Sequence, residues 1–121
     1  MKLIRFGEPG EERPGVIDSG NIMRDLSGVI PDWDYQTLVP DTLARVAELH
    51  HQALPAVSAD TRLGAPVHRP GIIVVWPLSY GNHAAEPTLG PPAEPLFMLT
   101  APNASHGPHG AVITPKGGSP T

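Results

Sequence analysis

One stretch of this chain carries a convincing helical pattern. Between Pro40 and Pro55 the stretch Asp41 to Leu54 runs uninterrupted. Within it Leu43, Val46, Ala47 and His50 recur at i, i+3, i+4 and i+7, and Leu49 and Leu54 widen the stripe. Asp41 or Thr42 can serve as its N-cap, and Pro55 ends it because proline cannot continue the ladder of helical hydrogen bonds. His50 and His51 would lie in the last turn. Neighbouring residues on a helix point about 100° apart, so they do not form a chelate. Imidazoles there are instead favoured by the helix dipole. The chain holds 16 prolines and 13 glycines in 121 residues. From Pro87 onward they fill 13 of 35 positions, so the last third is expected to be mostly loop.

The rest of the N-terminal half reads as short strands. Lys2 to Phe6 alternates, with Leu3 and, less cleanly, Arg5 on one side and Ile4 and Phe6 on the other. Pro14–Asp18 and Asn21–Leu26 flank Ser19-Gly20, the pattern of a hairpin, with Val16 and Ile22 expected to bury one face. Asp32-Trp33-Asp34 follows in a connector. Two acids in a loop are turn formers, because a short carboxylate bonds the backbone two residues on. Residues 56–70 read as an extended linker, in which Thr61 to Leu63 offers a short strand. Ile72 to Trp76, bounded by Gly71 and Pro77, reads as a buried strand. Leu96–Leu99 and Ala111–Thr114 are further strand candidates. The expected fold is α+β. A small N-terminal β-hairpin and helix domain spans 1–62, a linker 63–70, and a second region 71–121 holds further strand candidates, which the resemblance described below implies are the first strands of an incomplete mixed β-roll.

Several function classes are excluded by composition. The net charge is -4, and no basic stripe interleaved with aromatics is present, so nucleic acid is not an expected partner. Without cysteine, disulfides and thiolate chemistry are excluded, which fits a reducing compartment and an expected cytoplasmic location. The opening MKLIRFGEPG lacks the apolar stretch of a signal peptide. No apolar run approaches the roughly 18 residues that would cross a membrane.

The chemistry-bearing residues cluster at Arg69 to Glu86, RPGIIVVWPLSYGNHAAE. A strand runs into a proline turn, and His83 and Glu86 follow three residues apart. At that spacing two side chains on a helical turn share a face, and a carboxylate beside an imidazole orients it and raises its basicity. His106 and His109 also stand three apart, but Gly107 and Pro108 between them oppose the helix that would align them. Two imidazoles alone also leave a transition-metal sphere half empty.

These residues resemble a known family. Arg69-Pro70-Gly71, the apolar strand, Tyr80, His83 and Glu86 stand in the register of the segment R-P-G-K-[IV]-[IV]-x-[IV]-G-x-N-Y-x-x-H-x-x-E of the fumarylacetoacetate hydrolase superfamily. Pro92-Ala93-Glu94-Pro95-Leu96-Phe97 is similar to its P-x-E-P-x-x-F-x-K, one residue short. Gly107-Pro108 and Val112 to Gly117 look like its G-P-x-D-x-V-x-x-P-x-G. The first 62 residues resemble the small α+β domain that precedes the catalytic domain, with its K-x-x-R-F start, P-G-V-x-D strand and R-D-L-[ST]-G close. The likeness spans the whole chain.

The resemblance implies a hydrolase, isomerase or decarboxylase in the catabolism of small dicarbonyl acids, on a rolled mixed sheet. His83 would be the general base, Glu86 its orienting partner, and Tyr80 a substrate contact. The family uses Mg²⁺ or Mn²⁺ held by carboxylates as a Lewis acid. This chain alone implies no metal ligands, because the acidic metal-binding strand of the family has no counterpart in it. Leu99, or Met98 on another placement of the gap, stands where the family has a lysine. Pro77 and Ser79 replace its Gly and Asn. The resemblance therefore implies an incomplete or inactive fragment. The alternative is a non-enzymatic small domain that associates with another chain through an unpaired strand, including as a homo-oligomer.

Overall fold

The computed structural model describes residues 1–77, 94–113 and 116–117. They fall into two compact units. One comprises Met1–His68 with Ser105–Thr121, the other Arg69–Ala104.

The first unit opens with an antiparallel meander of β1 (Lys2–Phe6), β2 (Arg13–Ile17) and β3 (Met23–Asp25). The register pairs Leu3 with Val16 and Val16 with Arg24, while Lys2 pairs with Ile17 and Ile17 with Met23. Because side chains alternate across a strand, Leu3 and Val16 share one face, and Ile4, Phe6, Ile17 and Met23 the other. Both faces are covered. On the first, Val16 packs with Leu26, Ile30, Trp33 and Val46, and Leu3, Leu43, Leu49 and Leu54 close the edge of this cluster. On the second, Ile4, Phe6 and Met23 gather Ile17, Val57 and Leu63. The hairpin forms as expected, but Ile22 is exposed and does not join Val16. The paired register puts Arg24 opposite Val16 instead, and Ile22 belongs to the turn, where its N–H bonds Asp18 Oδ1 at 3.0 Å.

Trp33 is the centre of the larger cluster. It is fully buried, and its indole N–H donates to the Gly15 carbonyl at 3.0 Å. Gly15 is itself required by space. A Cβ there would lie 2.7 Å from the Arg24 carbonyl oxygen and 2.9 Å from the Phe6 ring. Gly15→Ala is expected to cost about 1–3 kcal/mol, since backbone and ring must both yield. Thermal denaturation followed by far-UV circular dichroism measures this directly.

The α-helix among the described residues, α1, is Pro40–Glu48, shorter than the 41–54 that the periodicity predicts. Pro40 occupies its start, where the missing N–H costs nothing, and Val39 rather than Asp41 or Thr42 is the N-cap residue. Leu49 turns to an extended conformation at φ -64° and ψ 143°. The chain beyond is then drawn alongside β3. Asp25 N–H donates to the Pro55 carbonyl at 2.9 Å, Arg24 donates to the Leu54 carbonyl at 3.2 Å, and Arg24 and Ala56 form a bridge. These tertiary bonds outcompete the last turns of helix, and Leu49 and Leu54 still reach the core. Ala47 and His50 are exposed. A short 3₁₀ turn, His51–Ala53, follows, and His51 Nε2 donates to the Val46 carbonyl at 2.7 Å. That imidazole adds a second, shorter bond to a helix-end carbonyl that also accepts the Leu49 N–H at 3.3 Å, a structural role for this histidine.

Residues 63–68 are bonded into the first unit. Leu63 bridges Phe6, Gly64 N–H donates to the Arg5 carbonyl at 2.8 Å, and His68 N–H donates to the Trp33 carbonyl at 2.7 Å.

Among its described residues the second unit holds a two-stranded antiparallel sheet of β4 (Ile73–Val75) and β5 (Met98–Thr100). Val74 pairs with Leu99 and Val75 with Met98. Trp76 and Phe97 meet with ring centroids 5.5 Å apart. The expectation of a buried strand at 72–76 is corrected here. Ile72, Val74, Val75 and Trp76 are all exposed. An apolar run specifies a strand but not what covers it, and one pairing partner hides little of either face. Of the strand candidate Ala111–Thr114, residues 111–113 are irregular and exposed, and Thr114 lies outside the described residues. The architecture is α+β. Of the mixed roll implied by the resemblance, the described residues show one antiparallel pair.

Candidate functional site

Tyr80, His83 and Glu86 all lie outside the described residues. Their place in the chain is the connection between β4 and β5. The two strands that bracket it are paired, which brings the start and end of the segment carrying these residues side by side. Leu99 and Met98, the two positions where the resemblance would put a lysine, are in β5 and exposed, and neither side chain carries an N–H to donate.

What the first unit does bring together is a charged cluster around Arg5. Its guanidinium is almost fully buried beside β2 and the connector. Nε donates to Asp32 Oδ1 at 2.7 Å and Nη2 to Asp32 Oδ2 at 2.9 Å, the two-pronged geometry that makes Arg–carboxylate pairs strong. Nη2 also faces the Glu12 carbonyl at 3.4 Å and His68 Nδ1 at 3.2 Å, and Nη1 faces the Ala65 carbonyl at 3.4 Å. His68 Nδ1 also lies 3.5 Å from Asp32 Oδ2. Glu12 extends the network, 3.9 Å from Arg5 and 2.9 Å from Arg62. All three guanidinium nitrogens of Arg5 thus face groups of the fold.

Asp32 and Asp34 divide the roles expected of the acidic connector. Asp34 Oδ1 caps a turn, accepting from Gln36 N–H at 2.9 Å and Thr37 N–H at 3.1 Å. Asp32 accepts from Trp33 N–H at 2.8 Å and, in addition, neutralises Arg5. That second role was hidden in the sequence. Its only signal is Arg5 itself, a cation at an inward position of an alternating strand, which requires a partner.

Three carboxyls in this unit are held below their ordinary range. Burial would raise Glu12, but hydrogen bonds from Arg62 and from backbone N–H groups, and the charge of Arg5, outweigh it. The Ile22 N–H is the main cause for Asp18. Burial opposes it, and Arg24 and the Gly20 N–H add to the lowering. For Asp34, burial is outweighed by the Thr37 and Gln36 bonds and the charge of His68. Each group therefore adds stability above its ordinary value, 4.5 for Glu12 and 3.8 for the two aspartates, and that stability is lost as pH falls through the lower folded values. Urea midpoints are expected to hold steady from pH 7 to 5 and to decline below about pH 4.5, with the steepest loss below the aspartate range.

His106 and His109 go to different places. His106 borders a cavity of about 280 Å³ with Leu63, Pro66 and Pro108, and its Nδ1 donates to the Gly107 carbonyl at 2.7 Å. His109 borders a second hollow with Asp60 and Arg62. Gly107 between them packs so closely that a Cβ would fall 2.1 Å from the Leu63 carbonyl oxygen. Among the described residues no three His, Asp or Glu side chains converge to hold a metal ion. No helix among them is long and apolar enough to cross a membrane.

Comparison with known proteins supplies what the geometry leaves open. No protein-family model matches the chain. It is 40% identical over 116 residues to 2,4-didehydro-3-deoxy-L-rhamnonate hydrolase of a Sphingomonas species, a match covering 96% of this chain and 39% of that protein. It is 39% identical over 117 residues to a protein of Burkholderia multivorans provisionally named a hydrolase, covering 97% of this chain and 42% of the other. A Burkholderia cenocepacia protein with a similar name is 38% identical over the same length. The chain spans about two-fifths of the length of these relatives, and along nearly all of its own length it is similar to hydrolases.

Proposed function

We propose that the chain is the part of a fumarylacetoacetate-hydrolase-type enzyme that carries its acid–base pair, acting on a small β-dicarbonyl acid. The observation that carries this is the coincidence of two likenesses over the same residues. The motifs from Arg69 to Gly117 stand in the family's order, and the similarity along 96% of this chain is to a hydrolase whose name describes a sugar acid oxidised at carbons 2 and 4. Carbonyls at those positions flank one methylene, which is the β-dicarbonyl pattern.

His83 takes a proton from water, whose oxygen attacks the distal carbonyl. The carbon–carbon bond to the methylene then breaks, its electron pair forms an enolate on the 2-oxo fragment, and the proton returns to that carbon. The products are two acids, and water is consumed. Glu86 holds the imidazole in the orientation and tautomer the transfer needs, and Tyr80 contacts the substrate. A divalent metal belongs to the family's chemistry, but the described residues gather no set of ligands for one, and no step here is assigned to it.

Because the chain spans two-fifths of its relatives, the test supplies the rest. The matched 116 residues of the Sphingomonas hydrolase are replaced by their counterparts from this chain. The chimera is expected to cleave a 2,4-dioxo acid into two acids seen by proton NMR. A soluble chimera that melts like its parent and yields no products would overturn the proposal. The second reading, a non-enzymatic domain that associates with another chain, draws on the exposed apolar residues of β4 and β5.

A further inference from the structure

One ring nitrogen in the first unit has two neighbours that make opposite demands on it. His68 Nδ1 lies 3.2 Å from Arg5 Nη2 and 3.5 Å from Asp32 Oδ2. A guanidinium can only donate, so its hydrogen bond to Nδ1 requires a lone pair there. A carboxylate can only accept, so its hydrogen bond to Nδ1 requires a proton there. The two bonds exclude each other, and the proton count of the imidazole decides between them. The His68 side chain is 37% exposed, so water can deliver and remove that proton.

The charges around the ring come from three parts of the chain. Arg5 stands on β1, almost fully buried. Asp32 and Asp34 belong to the connector, and the charge of His68 is among the influences that lower Asp34. Glu12, between β1 and β2, lies 3.9 Å from Arg5 and is paired with Arg62 at 2.9 Å. An imidazolium at this place therefore has carboxylates to turn to when it leaves the guanidinium. The backbone beneath the ring is held independently. His68 N–H donates to the Trp33 carbonyl at 2.7 Å, and Arg69, the next residue, sits at φ 46°, a region a side chain other than glycine keeps only where its surroundings fix it.

We propose that His68 is a proton-controlled latch inside the first unit. Neutral, with its proton on Nε2, the ring accepts from Arg5 and ties the end of the 63–68 segment to β1. Protonated, it gives up Arg5 and donates from Nδ1 to Asp32, so the tie passes from β1 to the connector. The proton comes from solvent and returns to it. Histidine is the side chain that changes charge between about pH 8 and about pH 5, above the range in which Glu12, Asp18 and Asp34 take up protons. The latch thus works while those carboxylates keep their charge. The inference stands whether or not the chain catalyses a reaction.

Long-range proton–nitrogen NMR of the isotope-labelled full chain, from about pH 8.5 to about pH 5, tests it. The His68 ring signals are those that His68→Gln removes. At the upper end Nδ1 is expected to be the unprotonated ring nitrogen, and at the lower end both nitrogens carry protons. The Arg5 Nε–H signal and the Asp32 carboxyl carbon signal are expected to shift in one step that shares the His68 midpoint. That step is expected to be lost in His68→Gln, which cannot take up the proton. A proton on Nδ1 at the upper end, Arg5 and Asp32 signals that do not follow His68, or a step that survives in His68→Gln would each overturn the proposal. The first two readings come from the native chain, so they decide the matter even where His68→Gln weakens the fold.

Discussion

Trp33→Ala is expected to lower the melting temperature of the first unit by on the order of 20 °C. The side chain is completely buried among Val16, Leu26, Ile30 and Val46, which come from β2, the connector and α1. Its removal opens a cavity where three parts of the chain meet, and such truncations cost about 3–5 kcal/mol. It also leaves the Gly15 carbonyl without its indole donor, adding about 1 kcal/mol. Against a total stability of about 5–15 kcal/mol, this is a large share. Trp33→Phe keeps most of the volume and loses the donor, so it should cost about half as much or less. Calorimetry on the three proteins separates packing from hydrogen bonding.

Asp32→Ala is expected to be as damaging, for a different reason. It strips the counter-charge from a guanidinium that is only 5% exposed, and breaking a buried pair from one side costs about 3–5 kcal/mol. Replacing both partners, as in Arg5→Met with Asp32→Leu, removes the buried charge along with its partner and should recover at least half of that loss. Urea denaturation of the two single variants and the double variant gives the coupling directly. If the double variant is less stable than either single one, the pair contributes through its backbone contacts rather than its charge.

These two residues also show what was legible in the sequence. The strands β1 to β3 and their hairpin follow from local alternation and a Ser-Gly turn, and both are where the pattern puts them. Trp33 and Asp32, by contrast, sit in a connector whose local signals say only turn. Asp32 matters through Arg5, 27 residues away in the chain, and Trp33 through Gly15, 18 residues away, and no periodicity reports such distances. The helix failed at its end for the same reason. Its stripe continues to Leu54, but Arg24 and Asp25 claim the backbone of 54–56 for β3. In the second unit the strand at 73–75 was legible and its exposure was not, because burial depends on what lies over a strand. The candidate site was legible as a motif alone, through the spacing of Tyr80, His83 and Glu86. Its similarity to hydrolases comes from comparison rather than from packing.

Replacing His83 by alanine in the hydrolase chimera tests the central claim most directly. A general base contributes about 10²–10⁴-fold to a rate, so kcat for the 2,4-dioxo acid is predicted to fall at least 100-fold while KM moves little. An unchanged kcat would show that the imidazole carries no proton in the reaction, and would contradict the account.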